Sequence, residues 1–389
     1  MSPDAEVIVS ARGAARWERG HPWIYKSDVT QRTDAPAGVV RVLDVRRRPI
    51  GRALWSPASE ISLRLLDRDP DAVIDSDWWR ARLSSALERR AWIGDSANAC
   101  RLVHGEGDGL PSLVVDRYDR WLVVQLSSAG IERFRNEITA ALVELVEPLG
   151  ILARNDIPTR AREELGSEVE LLHGSVPDDV TVREGHVHYL AAPYTGQKTG
   201  AFLDQRENRM LLGELARGRA LDCFSYHGSF ALHLARRAES VTAIDSSAAA
   251  LERAHENARL NGTENIDFVE ANVFDWLREA ERSGERFDTI VLDPPAFARS
   301  RQALPGALRG YREINLRAMR LLAPGGLLFT ASCSYHMSRT LFQEMLQDAA
   351  SDSGRLLTLR ALRGQSRDHP EVLTIPESGY LKGALLEAV

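Results

Sequence analysis

The pattern of apolar and polar residues changes near Thr199, after which short apolar runs alternate with amphipathic stretches. Apolar runs of roughly 4–8 residues are typical of buried strands, and apolar residues three and four positions apart are typical of helices. The predicted strands are Ala220–Phe224, Val241–Asp245, Ile266–Glu270, Thr289–Asp293 and Leu327–Ala331. The predicted helices are Met210–Ala216, Phe230–Arg237, Ala248–Asn261, Val273–Glu281, Tyr311–Leu322 and Ser338–Ala350. This alternation predicts an α/β fold with a doubly wound, mostly parallel sheet.

The first half of the chain follows a different pattern. Short strands separated by turn residues predict a small β-barrel over residues 1–70; they are Val7–Val9, Val39–Asp44, Ile50–Trp55 and Ile61–Leu65. Two helices, Ala72–Ile93 and Glu132–Leu149, and a hairpin of Glu170–His173 with His186–Ala191 predict an α+β middle domain over 71–190. Residues 191–389 form the third predicted domain, which closes with a hairpin of Val372–Ile375 and Tyr380–Ala388.

The composition narrows the class of protein. A length of 389 residues suits two or three domains, at roughly 150 residues each. An apolar fraction of 44% with 27% charged residues is typical of globular chains and excludes a disordered one. The stretch Leu321–Ala331 is broken by Pro324, well short of the ~20 residues of a membrane span. Because the first residues are also unlike a signal peptide, we expect a cytoplasmic protein without membrane association.

The cysteine content disfavours disulfide and metal sites, and the charge restricts how a nucleic acid could bind. Cys100, Cys223 and Cys333 lie far apart in the sequence, which favours free thiols over a disulfide framework or a metal site. The net charge is −6 and no predicted domain is globally basic, so a nucleic acid would have to contact local patches.

In open α/β sheets, ligands bind beyond the carboxyl ends of the strands. The segment at the first strand end, Leu221–Phe230, contains one glycine, Gly228, whereas a dinucleotide fingerprint needs several glycines. NAD is therefore disfavoured, and the methionyl part of S-adenosylmethionine suits a single close approach of the backbone. Asp245 ends the next strand, where it is placed to accept hydrogen bonds from ribose hydroxyls. The alternative interpretation of these two strand ends is a purely structural turn and an exposed aspartate that binds no ligand.

Two more strand ends carry candidate chemistry. Asp293-Pro294-Pro295 presents a carboxylate and rigid backbone carbonyls, and Phe297 follows as an aromatic ring that could stack on a planar group. That arrangement suits a nucleobase. Cys333 lies just past another strand on the same edge, where a nucleophile would be exposed.

Four ordered motifs resemble those of the bacterial and archaeal large-subunit rRNA cytosine-C5 methyltransferase family. They are Thr199–Arg209, Asp222-x-Phe224-x-x-x-Gly228-x-Phe230, Asp293-Pro294-Pro295-Ala296-Phe297 and Ser332-Cys333-Ser334. Residues 20–25 (Gly-His-Pro-Trp-Ile-Tyr) resemble the PUA RNA-binding domain with which that family begins, and residues 106–111 resemble its middle domain. The resemblance covers essentially the whole chain.

This resemblance implies a Rossmann-like class I methyltransferase domain that uses S-adenosylmethionine. The expected partner is RNA, most specifically large-subunit rRNA. A homodimer is left open, and no metal is expected. The residues assigned to the cofactor are Gln205, Arg206, Asp222, Phe224, Ser225, Gly228, Asp245, Ser246, Asn272 and Asp293. The residues assigned to the RNA substrate are Pro294, Pro295, Phe297, Arg299 and Arg301. Asn272 departs from the aspartate that many relatives carry, although an amide oxygen can accept the same bond from adenine.

The chemistry of cytosine explains why a thiol is expected. The C5 atom of cytosine is not nucleophilic enough to take a methyl group from a sulfonium. Addition of a thiolate at C6 converts the ring into an enamine, whose C5 is nucleophilic. Cys333 is the predicted nucleophile, and Asp293 is the predicted partner of the base edge. His336, Asp293 and water remain candidates for removing the C5 proton.

Two other functions are weighed. An exocyclic-nitrogen RNA methyltransferase would use Asp-Pro-Pro without a thiol, and a ribosome-assembly factor would bind RNA without catalysis. The arginines between Arg299 and Arg320 are interpreted either as phosphate contacts or as a solvated helix face.

Overall fold

The chain divides into two units that each combine segments distant in sequence. The computed structural model describes residues 5–298 and 300–389. The first unit comprises Met1–Val182, Ala191–Leu203 and Arg367–Ser378, and the second comprises Arg183–Leu190, Asp204–Ser366 and Gly379–Val389. The boundaries 1–70, 71–190 and 191–389 stay predictions.

The first sheet of the first unit contains six strands in the order β2-β6-β5-β4-β1-β3. They are β1 Glu6–Val9, β2 Trp23–Ile24, β3 Val29–Gln31, β4 Gly38–Leu43, β5 Pro49–Trp55 and β6 Leu63–Asp67. The β-rich module predicted for this region is present, but helix α1 (Ala11–Glu18) was missed. Ser10 caps it by accepting from the Gly13 amide, and α1 buries Trp17 in the core with Trp55.

The second sheet of this unit contains five strands in the order β11-β10-β9-β8-β7. They are β7 Ala99–His104, β8 Leu113–Tyr118, β9 Trp121–Leu126, β10 Gly150–Arg154 and β11 Val169–Gly174. Its helices are α2 Ser76–Glu88, α3 Ala129–Glu132 and α4 Arg135–Val146. The hairpin predicted between residues 170–173 and 186–191 is wrong. β11 pairs with β10, and β12 (Val180–Glu184) pairs with β13 (Val187–Ala191).

The second unit is built on a seven-stranded sheet in the order β16-β15-β14-β17-β18-β20-β19. Its strands are β14 Arg219–Cys223, β15 Ser240–Asp245, β16 Ile266–Glu270, β17 Phe287–Leu292, β18 Leu322–Ser332, β19 Leu357–Arg363 and β20 Lys382–Ala388. Its helices are α5 Arg206–Leu215, α6 Ser229–Ala235, α7 Ala248–Leu260, α8 Val273–Ser283, α9 Leu304–Leu321 and α10 Arg339–Ser353. β14 to β18 are parallel, which confirms the predicted α/β sheet.

Helices on either side cover the central strands, so β14 and β17 are buried almost throughout. Such strands read as continuous apolar runs, which is why their positions were predictable. Helix α9 begins seven residues before the predicted start, at Leu304. Pro305 and Gly306 resemble a break in the pattern, but proline is tolerated in the first turn of a helix.

The predicted C-terminal hairpin is also wrong. β20 pairs antiparallel with β18 on one side and with β19 on the other. Residues 372–375 contribute only an isolated bridge and belong to the first unit. β19 was missed, although Leu357 and Leu359 alternate with polar residues as in a strand. The alternation breaks after Ala361, the register with β20 shifts between Leu359 and Ala361, and at this sheet edge Leu359 and Leu362 stay about half exposed.

In the part of the chain that the structure describes, no helix is long and apolar enough to cross a membrane.

Candidate active site

In the sheet of the second unit, the order in which successive parallel strands are added reverses between β14 and β17. β15 and β16 continue from β14 on one side, and β17 and β18 continue on the other. A ligand crevice forms at such a switch point, beyond the carboxyl ends of the strands. Asp222, Asp245, Asp293 and Cys333 all lie at or just after the carboxyl ends of β14, β15, β17 and β18.

The loop after β14 has an unusual backbone. Phe224, Tyr226 and Gly228 have φ angles of 64°, 51° and 79°. Residues other than glycine cost on the order of 1–3 kcal/mol in this region and persist only where the surroundings hold them. The Ser225 amide donates to the Ile244 carbonyl and the Tyr226 amide donates to Asp245, so the loop is tied to the end of β15.

Gly228 has a structural reason to be glycine. A Cβ there would lie 3.1 Å from the Ala254 Cβ and 3.4 Å from the Phe268 ring. The close approach expected at this position is therefore made by the protein's own helix α7. Contact of Gly228 with a cofactor stays a prediction.

Asp245 is held by two backbone amides. Its Oδ2 accepts from the Tyr226 amide at 2.9 Å, and its Oδ1 accepts from the Ser247 amide at 2.9 Å. The side chain is half-buried, and the following Ser246 is exposed. Each carboxylate oxygen has further lone pairs, so this fixed carboxylate can accept a pair of hydroxyl donors.

Asp222 is a buried carboxyl with one uncompensated oxygen. Its Oδ2 accepts from the Ala231 amide at 2.9 Å, but no group among the described residues hydrogen-bonds Oδ1. Burial raises the pKa of Asp222 well above its usual range, and Asp293 and Asp245 raise it further. Leaving such an atom unsatisfied is costly, so a cationic donor at this position would be favoured.

Asp293 is oriented by a chain of buried amides. Gln205 donates from Nε2 to Asp293 Oδ1 at 2.8 Å, and Asn208 donates to Gln205 Oε1 at 2.7 Å. Arg363 in turn donates to Asn208 Oδ1 at 3.0 Å. Because Gln205 and Asn208 are buried, this chain fixes which way the Gln205 amide faces. Neither Asn208 nor Arg363 was assigned a role from the sequence. Asn208 lies within the Thr199–Arg209 motif, whereas Arg363 lies more than 150 residues away from it.

Cys333 differs from the other two cysteines in exposure. It is half-buried, whereas Cys100 and Cys223 are fully buried. Burial raises the pKa of the Cys223 thiol, which makes it a poor nucleophile. The Cys333 Sγ lies 4.0 Å from the Pro294 carbonyl oxygen, so the thiol and the Asp-Pro-Pro segment share one edge of the sheet.

Tyr311 links this segment to α9. Its hydroxyl lies 2.9 Å from Ser334 Oγ and 3.5 Å from the carbonyl oxygen of Pro295, which is itself exposed. Ser334 Oγ also accepts from the Ala298 amide. Burial raises the pKa of Tyr311. Tyr311 and Ser334 therefore brace the loops on both sides of Cys333, a role that the sequence did not reveal.

Phe297 packs in an aromatic cluster. Its ring centroid lies 4.6 Å from that of Tyr311, 5.9 Å from that of Phe274 and 6.2 Å from that of Phe224. The ring is half-buried, so part of the surface predicted to stack on a base contacts the protein instead. Phe297 as a base-stacking residue stays a prediction.

Asn272 is the N-cap of helix α8. Its Oδ1 accepts from the amides of Phe274 at 2.9 Å and Asp275 at 3.4 Å. The oxygen expected to accept from adenine is thus already engaged. The residue is exposed just past β16, and its contact with a cofactor stays a prediction.

The arginines of α9 are paired with acids from neighbouring helices. Arg317 and Arg320 lie 2.6 Å and 2.8 Å from the two oxygens of Glu281, and Arg312 pairs with Asp352. For these residues the structure supports the solvated helix face over phosphate contacts. Their partners are far away in sequence, which is why the stretch looked uncompensated. Arg301 is exposed in the preceding loop, and Arg299 lies outside the described residues.

Arg206 begins α5 and is buried. Its assignment to the cofactor, like those of Phe224, Ser225 and Ser246, stays a prediction. No cluster of three or more His, Cys, Asp or Glu side chains able to hold a metal occurs among residues 5–298 and 300–389.

Comparisons with known proteins decide the family. Residues 101–372 match the S-adenosylmethionine-dependent methyltransferase family. The chain belongs to this methyltransferase family. Residues 7–68 match a PUA-like domain, which confirms the N-terminal module predicted from the sequence.

The methyltransferase is similar over nearly its whole length to proteins named ribosomal RNA large subunit methyltransferase I. It is 40% identical over 379 residues to the protein from Aeromonas salmonicida, with 95% of this chain and 96% of that protein covered. It is 39% identical over 378 residues to the protein from Klebsiella pneumoniae, with 94% of each covered.

Solved structures show the same fold. A candidate SAM-dependent methyltransferase from Streptococcus mutans aligns with a TM-score of 0.83 at 20% identity, over 98% of this chain and 100% of that chain. The crystal structure of a candidate methyltransferase in complex with SAH aligns with a TM-score of 0.84 at 21% identity, over the same shares. Identity at this level supports the fold alone.

The residues of the methyltransferase fit S-adenosylmethionine, the cofactor predicted from the sequence. The molecule carries a sulfonium, an ammonium and a ribose. The unsatisfied Oδ1 of Asp222 would accept from a cationic ammonium, and the fixed carboxylate of Asp245 would accept from the ribose hydroxyls. Asp245 and Asp293 lie near enough to Asp222 to raise its pKa, and a cationic ligand among these three acidic groups would relieve their mutual repulsion.

Proposed function

We propose that this methyltransferase forms 5-methylcytosine in large-subunit ribosomal RNA through a covalent bond between Cys333 and the base. The observation that carries the proposal is the position of Cys333, half-buried after β18 with its Sγ 4.0 Å from the Pro294 carbonyl oxygen. The names of the similar proteins support the ribosomal substrate. The sequence motifs support the cytosine.

Cys333 would act as a nucleophile. Its thiolate adds to C6 of cytosine, and the electrons of the C5–C6 double bond move toward N3, where a proton is taken up. The enamine formed in this way is nucleophilic at C5. S-adenosylmethionine supplies an electrophilic methyl group on its sulfonium. Once C5 carries the methyl group, N3 loses the proton it took up. Removal of the C5 proton then expels the thiolate and restores the C5–C6 double bond.

Asp293 would hold the base edge. It follows β17, and Gln205 orients its carboxylate through the buried amide chain. A carboxylate beside N3 can support uptake of the proton there. Pro294 and Pro295 restrict the backbone next to it, so the base meets a rigid edge.

The PUA-like domain would contribute RNA affinity. Residues 7–68 contain no cysteine, so no candidate nucleophile for this chemistry lies there. A cytoplasmic location is also proposed, because it is consistent with methylation of ribosomal RNA.

Trapping with a fluorinated base tests the thiol mechanism. RNA with 5-fluorocytosine at the target has no removable proton at C5, so the enzyme should remain attached to it as an adduct stable in a denaturing gel. We expect the adduct to require S-adenosylmethionine. Cys333→Ala should abolish both the adduct and turnover while it retains cofactor affinity.

Cys100→Ala is the matched control, because Cys100 is fully buried in the first unit. It should form the adduct normally. Substantial turnover by Cys333→Ala would eliminate the thiol mechanism and favour methylation of an exocyclic nitrogen. Nucleoside mass spectrometry of ribosomal RNA from a strain without the gene should show the loss of 5-methylcytidine.

A further inference from the structure

A buried lysine lies beside the proposed nucleophile. Lys382 is the first residue of β20 and pairs across the sheet with Ser332, the last residue of β18. Only 3% of its surface is exposed. It is one of three lysines in the chain, and it precedes the apolar residues 384–386 of β20.

Two backbone carbonyls hold the ammonium in place. Lys382 Nζ donates to the carbonyl oxygens of Ser334 and Tyr380, each at 2.7 Å. Ser332 and Ser334 are the two chain neighbours of Cys333, so the contacts of Lys382 bracket this cysteine on both sides. An ammonium has three N–H bonds, and these carbonyls account for two of them.

The buried charge lacks a carboxylate partner. Across residues 5–298 and 300–389, no Asp or Glu lies within ion-pair distance of Lys382. Buried lysines without such a partner are rare, because removal of an ammonium from water is costly. Burial lowers the pKa of Lys382 to about 8, while a negative charge on Cys333 raises it. The side chain therefore still carries its charge at neutral pH.

Other charged and titratable groups lie near the pair. Tyr380, whose carbonyl accepts from Lys382, donates from its hydroxyl to Asp204. Arg339, at the start of α10, disfavours the charge on Lys382. Tyr311 of α9 lies against Ser334, and a negative charge on Cys333 raises the pKa of Tyr311. Asp293 follows β17, next to the Pro294 carbonyl that Cys333 approaches.

We propose that Lys382 is a positioning residue whose ammonium stabilises the thiolate of Cys333 and so keeps the nucleophile ready for attack. The inference rests on the proposed thiol mechanism. The thiol releases its proton to solvent, and Lys382 keeps its own proton throughout. Since the positive charge is what matters, arginine should replace Lys382, which it could not do if Lys382 acted as a neutral base.

The test measures the ionisation of Cys333 directly. The rate of alkylation by iodoacetamide follows the thiolate fraction, and peptide mass spectrometry assigns the modified cysteine. The rate is recorded from about pH 5.5 to pH 9 for the full-length protein. Wild-type Cys333 should have a midpoint below the value of about 8.5 that is usual for free cysteine.

Lys382→Gln keeps N–H donors near the two carbonyls but removes the charge. We expect its midpoint to rise by at least about one pH unit, which lowers the alkylation rate about tenfold at pH values below both midpoints. Lys382→Arg should stay within about twofold of the wild type. Lys26→Gln is the control, because Lys26 is exposed in the first unit.

Identical alkylation profiles for wild type and folded Lys382→Gln would overturn the inference. If Lys382→Gln does not fold, a wild-type midpoint at or above about 8.5 would overturn it without any variant. The Cys333→Ala methylation assay keeps the two proposals separate. Retained methylation in that assay refutes the thiol mechanism, whereas unchanged alkylation in Lys382→Gln refutes only the role of Lys382.

Discussion

Two fully buried acids of the second unit, Glu184 and Asp222, have opposite surroundings. Glu184 receives two hydrogen bonds from Arg209, at 2.6 Å and 2.7 Å, and lies 3.0 Å from the His233 ring. Although burial alone would raise it, the charge and hydrogen bonds of Arg209 lower the pKa of Glu184. Asp222 has a single backbone donor and a raised pKa.

The different hydrogen-bond partners of Glu184 and Asp222 indicate different roles for the two acids. A buried ion pair with complete hydrogen bonding stays ionised and holds its neighbours in place. An acid left with a free oxygen at the carboxyl end of a central strand is available to a cationic ligand. We therefore expect Glu184 to stabilise the unit, and we propose that Asp222 binds S-adenosylmethionine.

The largest expected effect comes from breaking the Glu184 cluster. Arg209→Met should leave Glu184 buried without its cation and destabilise the protein by about 3–5 kcal/mol. Urea-induced unfolding of the wild type and the variant would measure this. Arg237→Met is the control, because Arg237 makes an exposed pair with Glu214 and should change stability by less than about 1 kcal/mol. Equal stability of wild type and Arg209→Met would contradict the assignment.

A smaller effect is expected at the ribose acceptor. Asp245→Ala should weaken S-adenosylmethionine binding by on the order of 1.5–3 kcal/mol. Isothermal titration calorimetry would measure the affinity, and circular dichroism would show that the fold is kept. Unchanged affinity would exclude Asp245 as the ribose acceptor.

The smallest effect concerns the pH dependence of stability at Asp222. Because its folded-state pKa is raised, the native protein binds more protons than the unfolded chain above the unfolded pKa, and stability falls as pH rises. Asp222→Asn removes this loss. Its free energy of unfolding relative to wild type should therefore increase from pH 5 to pH 8.

Unfolding curves at both pH values would measure that increase, and calorimetry should show weakened cofactor binding in the same variant. A stability difference that does not change with pH would contradict the raised pKa of Asp222.

Local patterns were enough to predict the parallel strands and the residues at their ends. β14, β15 and β17 are short, largely buried apolar runs, and each has a chemically informative side chain at or just after its end. The strand, turn and helix that place Asp222 or Asp245 are continuous in sequence. The S-adenosylmethionine-dependent methyltransferase domain, its cofactor and the PUA-like domain were therefore predictable from the sequence, and all three are confirmed. The cytosine-C5 specificity implied by the resemblance stays a proposal.

The tertiary structure decided everything that depends on partners from distant segments. Local sequence shows neither that Arg363 orients Gln205 through Asn208, nor that Glu281 pairs with the arginines of α9. Lys382 approaches Cys333 only because β20 inserts between β18 and β19. Hydrogen bonds and charges act over a few ångströms in space, whereas sequence patterns report burial along one segment. For that reason the sequence determined which edge of the sheet carries the chemistry, and the fold decided how each group there is held and charged.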